Sequence, residues 1–262
     1  MNVSLGGKHA LVCGASAGIG RACAVELAAL GASVTVAARR AEVVRDVVAG
    51  LPTTHGQRHE ALVVDLSQPA TASTAVEDRL RAGLSFHILV NNTGGPPEGT
   101  ALANSAEEYL GAFTSHLLTA QALVRACLPG MRRDAYGRII NILSTSVKAP
   151  IPTLAISNTV RAGVAAWAKS LSIELGPDQI TVNNVLPGFT DTDRLKDLQT
   201  TWAGHQGISQ DELRTRQLGT IPMRRFGEAG EIAAAVAFLA SPAASYVSGI
   251  NLPVDGGRTP VL

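Results

Sequence analysis

One pattern constrains this chain more than any other. Short runs nearly continuous in Val, Ile and Leu alternate with longer helical stretches along its whole length. "HALVCG", "SVTVAA", "EALVVD", "FHILVNN", "GRIINIL", "ITVNNVLP" and "GINLPVDGG" read as strands, and helical segments such as "IGRACAVELAALG" and "EIAAAVAFLAS" lie between them. Strands without apolar–polar alternation are buried on both faces, as in a parallel sheet covered by helices. Parallel neighbours need right-handed crossovers. The order therefore predicts an α/β, doubly wound Rossmann fold with a mostly parallel, seven-stranded sheet. No linker or repeat divides residues 1–262, so a single domain is expected. The longest region without clear periodicity, 188–227, predicts a substrate loop with one or two short helices, "SQDELRTRQL" foremost. Trp202, Leu213 and Met223 in that region suggest a partly apolar pocket, while Arg224 and Arg225 read as solvated.

Composition narrows the function. A net charge of +1 without a basic stripe argues against nucleic acid and membrane surfaces as partners and leaves a small-molecule substrate. The N-terminus reads as lacking a signal peptide, and no apolar run reaches the length of a membrane span. Cys13, Cys23 and Cys127 have no metal-ligand spacing and read as reduced core residues of a cytoplasmic protein, with no metal site expected.

Directly after the first strand comes "GASAGIG", which comprises Gly14, Ser16, Ala17, Gly18, Ile19 and Gly20. Glycines between a strand and a helix let backbone N–H groups approach a pyrophosphate, and the helix offers it its positive end. The second strand ends "VAARRAE". A site for NAD wants a carboxylate there for the ribose 2′-hydroxyl. Ala38 stands in that place, followed by Arg39 and Arg40, which suit a 2′-phosphate and predict NADP(H). The other reading of the two arginines is a solvated pair at a helix start.

These pieces resemble the short-chain dehydrogenase/reductase family over almost the whole chain. Beside the glycine motif, "VVDLS" is similar to the adenine-contacting segment, which implies roles for Asp65 and Leu66. "LVNNTGG" is similar to the family's Asn-Asn-Ala-Gly motif. It implies that Asn91, Asn92 and Gly94 support the central strand and the adenosine ribose. "NNVLPGFTDT" resembles the segment over the nicotinamide and places Pro187, Gly188 and Thr192 there. "GRIINILS" ends on Ser144, the counterpart of the catalytic serine. The resemblance also implies a homotetramer, or a homodimer, built on the long helices, and a function in hydride transfer to or from a carbonyl.

The catalytic half departs from the family. The family's tyrosine follows its serine by thirteen residues, and "RAGVAAWAKSLSIEL" fixes the lysine position from the other side. Both anchors agree: Ser157 stands for the tyrosine and Arg161 for the lysine, and His116 stands for the family's asparagine. Tyr109, Tyr136 and Tyr246 all read as structural. Arg161 can clamp ribose hydroxyls and stabilise an oxyanion, but guanidinium is no general acid near neutral pH. His116 is the first choice for a proton shuttle and Lys148 the second. Three functions stay open: an NADPH-dependent carbonyl reductase with a rebuilt proton supply, a dehydratase or isomerase using Asp191, Asp193 and His116, and a catalytically silent NADP(H)-binding protein.

Overall fold

The computed structural model describes residues 1–261. Seven strands form one sheet in the order β3-β2-β1-β4-β5-β6-β7, and each neighbouring pair is parallel. They are β1 His9–Cys13, β2 Ser33–Ala38, β3 Glu60–Val63, β4 Ile88–Asn91, β5 Gly137–Ile142, β6 Ile180–Pro187 and β7 Asn251–Val254. The chain leaves β1 toward β2 on one side and later returns to β4 on the other. A crevice therefore opens at the carboxyl ends of these strands, where such folds bind ligands.

Both faces of the sheet are covered. On one, α1 (Gly18–Ala29), α2 (Ala41–Ala49) and α9 (Ala229–Ala240) bury Leu27, Val44 and Val236 against Val12 and Val36. On the other, α3 (Pro69–Arg81), α5 (Thr119–Arg133) and α6 (Ala155–Leu175) bury Val76, Leu123, Met131 and Leu175 against Leu11, Leu89 and Ile139. Each such Leu or Ile contributes about 1.5–3 kcal/mol by leaving water. Every residue of β5 and β6 is buried, as the unbroken apolar runs predict. All three cysteines are free and buried. No helix among the described residues is long and apolar enough to cross a membrane.

Polar side chains set the register of the central strands. Asn91 donates to Asn141 at 2.9 Å, Asn141 to Asn184 at 2.8 Å, and Asn184 to Asn251 at 2.8 Å. These four residues are direct partners across β4, β5, β6 and β7. A buried amide is costly unless paired, so the ladder fixes which strand ends lie side by side.

Region 188–227 holds two helices, α7 (Asp193–Gln206) and α8 (Gln210–Gly219); α8 covers the segment singled out, and α7 is the one whose position the sequence pattern does not show. In α7 the buried stripe is Leu195, Gln199 and Ala203. Its middle member is a glutamine bonded to Gln217 at 2.7 Å, so the apolar period is masked. Leu154, the N-cap of α6, gives the helix no side-chain bond. Instead Asn158 bonds both backbone groups of Ile151 and ties the preceding loop back onto the helix.

Candidate active site

The crevice begins at the glycine turn. Gly14 and Gly18 have φ of 59° and 53°, a region that favours glycine. A Cβ on Gly14 would lie 2.5 Å from the Asn92 carbonyl oxygen, and one on Gly20 would lie 2.4 Å from that of Gly14. Asn92 holds the turn by donating to the carbonyls of Cys13 and Gly14. Ala17 gives α1 no side-chain cap, so its first N–H groups are left for an anion. Thr192, the N-cap of α7, reaches Gly18 from above, its methyl 3.5 Å from where a Cβ would be.

Two compartments open from this turn. The outer one is lined by Ser16, Arg39, Arg40, Asp65, Leu66 and Gly94, among others. Arg39 and Arg40 are exposed at the end of β2, beside buried Ala38. Arg40 donates to Ser16 at 3.4 Å, which ties the pair to the glycine turn. Hydrogen bonds from Ser67, and more weakly Arg39, hold the Asp65 carboxyl below its usual pKa. Backbone room, uncapped N–H groups and two guanidinium groups that form no ion pair among the described residues fit a dinucleotide with a 2′-phosphate.

The inner compartment brings together Ala17, Gly18, Ile19, Ser144, Ser157, Arg161, Pro187, Gly188 and Thr192, all expected from the sequence. Ser144 is half-buried at the end of β5, where its Oγ accepts from the Ser146 N–H. Arg161 is 9% exposed. Its Nη1 donates to the carbonyls of Ile142 at 3.0 Å and Leu143 at 2.8 Å, and its Nε donates to Ser157 Oγ at 3.1 Å. Among the described residues Nη2 has no hydrogen-bond partner and no carboxylate pairs with the group. Burial, and then the charge of Arg194, pull its pKa down to about 10, so it stays cationic at neutral pH. Because Ser157 already accepts from Arg161, its own O–H is free to donate into the cleft.

His116 occupies a single π-helical turn, Thr114–Leu118, between α4 (Ala106–Phe113) and α5. Such turns often mark functional positions. It lines a small cavity behind the main cleft together with Asn91, Asn141 and Thr93. Nδ1 lies 2.7 Å from Thr93 Oγ1. Desolvation by burial, then the Arg161 charge, lower its pKa to about 3, with the Gly94 backbone acting the other way. The imidazole is therefore neutral at physiological pH. It does not hold the proton that the sequence reading asks of a shuttle, but a neutral ring can pass one between its nitrogens. Thr93 lines both the cavity and the cleft and connects them.

Several expectations are not met. Lys148 does not line the cleft. Asp191 lies in a separate outer groove with Arg214 and Arg225. The Asp193 side chain is 89% exposed at the rim and pairs with Lys196. This leaves the dehydratase reading with one cleft carboxylate, Asp193 at the rim. Trp202, Leu213 and Met223 do not contact the cleft; its apolar wall comes from Leu143, Leu154 and Leu198. Tyr109 packs on Ile156 and Val160, and Tyr136 donates to the Ala240 carbonyl at 2.7 Å, both structural. Tyr246 is fully exposed, so it is surface rather than framework. Arg225 pairs with Glu231, and Arg224 donates to the Gly219 carbonyl, both on the outside as expected. Two further residues line the cleft without a signal in the sequence: Thr93, which stands where the family motif has alanine, and Arg194, two places after Thr192. No three His, Cys, Asp or Glu among the described residues cluster closely enough to hold a metal.

Comparison with known proteins places this geometry. The family described as enoyl-(acyl carrier protein) reductase matches residues 14–259. The 3-oxoacyl-(acyl-carrier-protein) reductase FabG of Pseudomonas aeruginosa is 36% identical over 257 residues, which cover 97% of this chain and 98% of the relative. An uncharacterised oxidoreductase of Mycobacterium tuberculosis is 33% identical, covering 96% of this chain and 92% of its own length. Among solved structures, L-sorbose reductase from Gluconobacter frateurii, complexed with NADPH and L-sorbose, superposes with a TM-score of 0.93 at 28% identity over all of both chains. YwfH, an NADPH-dependent reductase involved in bacilysin biosynthesis, superposes with a TM-score of 0.91 at 29% identity, covering 97% of this chain and 99% of that one.

Proposed function

The chain belongs to the short-chain dehydrogenase/reductase family, and from that premise we propose an NADPH-dependent carbonyl reductase whose proton supply is rebuilt around Ser157, Arg161 and His116. It is an oxidoreductase that acts on CH–OH and C=O groups with NADP(H). The cofactor supplies a hydride at nicotinamide C4, and the chain does the rest. The glycine turn and α1 hold the pyrophosphate, and Arg39 with Arg40 holds the 2′-phosphate. Asp65 and Leu66 bound the adenine, Asn92 and Gly94 the ribose, and Pro187, Gly188 and Thr192 the carboxamide.

The observation that carries the reading is the bond from Arg161 Nε to Ser157 Oγ. It fixes the hydroxyl, orients its proton outward and sets a cation behind it. Ser144 and Ser157 then donate to the substrate oxygen, and the Arg161 charge stabilises the alkoxide as hydride reaches the carbon. Arg161 Nη2 is left for the nicotinamide ribose. The oxygen takes its proton through Thr93 and neutral His116, with water as the source. A family site that uses a phenol and an ammonium is thus replaced by a hydroxyl held by a guanidinium.

We place the enzyme in the cytoplasm, where its three buried thiols stay reduced. We read it as a homotetramer: Leu110 and Phe113 of α4 and Ile173 of α6 are exposed apolar residues on the helices through which it would assemble.

Stopped-flow loss of NADPH absorbance across ketones, keto-esters, quinones and imines tests the activity. Turnover with at least one class is expected. Tight NADPH binding with no turnover in any class would overturn it. Arg39→Ala should raise the Michaelis constant for NADPH far more than for NADH; equal effects would refute the 2′-phosphate role.

A further inference from the structure

We propose that the cleft takes a substrate bearing a carboxylate and that Arg194 is the side chain that selects it. This deepens, and rests on, the reading of the cleft as a reductase site.

Arg194 is the second residue of α7 and projects across the mouth of the inner compartment. Its Nη2 donates to the Pro96 carbonyl at 3.2 Å, on the loop that follows β4. The Nε–Nη2 edge of the guanidinium faces Gly95: a Cβ there would be 3.0 Å from Nη2, 3.2 Å from Nε and 3.4 Å from Cζ. The side chain is thus held at one corner by a neutral acceptor, while its other N–H groups are uncommitted among the described residues.

No acid among the described residues answers this charge. Some exposed arginines pair with carboxylates, Arg225 with Glu231, Arg216 with Glu212 and Arg132 with Asp178, while others, Arg39 and Arg40 among them, form no ion pair among the described residues. Neither Arg194 nor Arg161 takes part in an ion pair among the described residues. The one carboxylate on the rim, Asp193, turns outward to Lys196 at 3.5 Å. Arg161, buried deeper in the same cleft, feels the Arg194 charge as a repulsion.

Two like charges facing one crevice without a counter-ion cost energy that an anionic ligand recovers. A carboxylate matches a guanidinium edge through two parallel hydrogen bonds. Leu154, Leu198 and Pro96 add an apolar wall beside Arg194. The ligand class that fits is an oxo acid: a carbonyl at Ser144 and Ser157, a carboxylate at Arg194, and an apolar body along the leucines.

The test uses two matched pairs, 3-benzoylpropanoate with its methyl ester and 2-oxo-4-phenylbutanoate with its ethyl ester. Calorimetry measures their binding to the protein–NADP+ complex, and NADPH absorbance measures turnover separately. At least one acid should bind about tenfold to a hundredfold more tightly than its ester, the range for a hydrogen bond to a charged group. Arg194→Gln should abolish that preference and Arg194→Lys restore part of it, with NADPH affinity unchanged within about twofold. Equal binding of acid and ester, or binding of neither, overturns the proposal. So does an Arg194→Gln variant that loses NADPH as much as acid, because the guanidinium then serves a cofactor phosphate. Acid-selective binding without turnover would leave the carboxylate site standing and fail the reductase reading. Acid and ester reduced alike by wild type and variant would do the reverse.

Discussion

Arg161 is a charge placed where burial disfavours it, and it is kept there by geometry rather than by a counter-ion. Its three bonds leave along two edges of a planar fork, to two carbonyls and one hydroxyl. A lysine keeps the charge but offers a point donor without the fork. Arg161→Lys should therefore lower kcat about tenfold or more, with a smaller change in NADPH affinity, because the held Ser157 hydroxyl is what it loses. Steady-state kinetics beside a fluorescence titration of NADPH would separate the two; a fall in affinity alone would point to the ribose as its only task. The relay gives a second test. Thr93 and His116 stand in series, 2.7 Å apart, so Thr93→Val and His116→Ala should cost similar factors in kcat and the double variant little more than either. Multiplying effects would separate them into independent roles. Spacing from the family's flanking motifs picks out Ser144, Ser157, Arg161 and His116, and the fold brings the first three into one cleft with His116 in the cavity behind it. Thr93 and Arg194 are not legible in this way, because a threonine among small residues and an arginine in a polar run acquire meaning only when loops far apart in sequence meet.

The strands were readable from their apolar runs, yet the residues that register them are the polar ones inside those runs. Asn141 sits in the middle of the amide ladder, donating to Asn184 and accepting from Asn91. Asn141→Ala removes both bonds and leaves a half-buried donor on Asn91 and a buried acceptor on Asn184. A loss of about 2–6 kcal/mol is expected, from about 1–3 per unsatisfied group. Urea unfolding would measure it; a loss below about 1 kcal/mol would mean that the sheet is registered by its apolar packing alone. The same masking hid α7. A helix that buries glutamine against glutamine does not repeat in hydrophobicity, so its period is visible only as hydrogen bonds in the folded chain. Helices with plain apolar stripes, α1 among them, can be read directly.

At the scale of the whole molecule, the histidines that folding most strongly perturbs disfavour acid. His9, at the opposite end of the sheet from the cleft, packs edge-on against Phe86 with its Nε2 2.8 Å from Thr35 Oγ1. Burial, then the charges of His87 and His59, lower its pKa to about 4. His116 is lowered to about 3. In the unfolded chain both take up a proton near pH 6.5. Between about pH 6.5 and 4 the unfolded state therefore binds more protons than the folded one, and stability rises with pH across that window. The sign is that of loss on acidification: the histidine contribution is complete above pH 6.5 and weakens progressively below it, with the His116 part still declining toward pH 3. Asp134, held below its usual pKa by bonds from Arg133 and Ser85, acts in the same direction at lower pH. Thermal midpoints taken at fixed protein concentration should fall steadily from pH 7 to pH 4. His9→Gln, which retains a polar partner for Thr35 but cannot charge, should flatten the upper part of that fall. A midpoint constant from pH 7 to pH 5, or a variant as acid-sensitive as wild type, would mean that these imidazoles accept protons without opposing the fold.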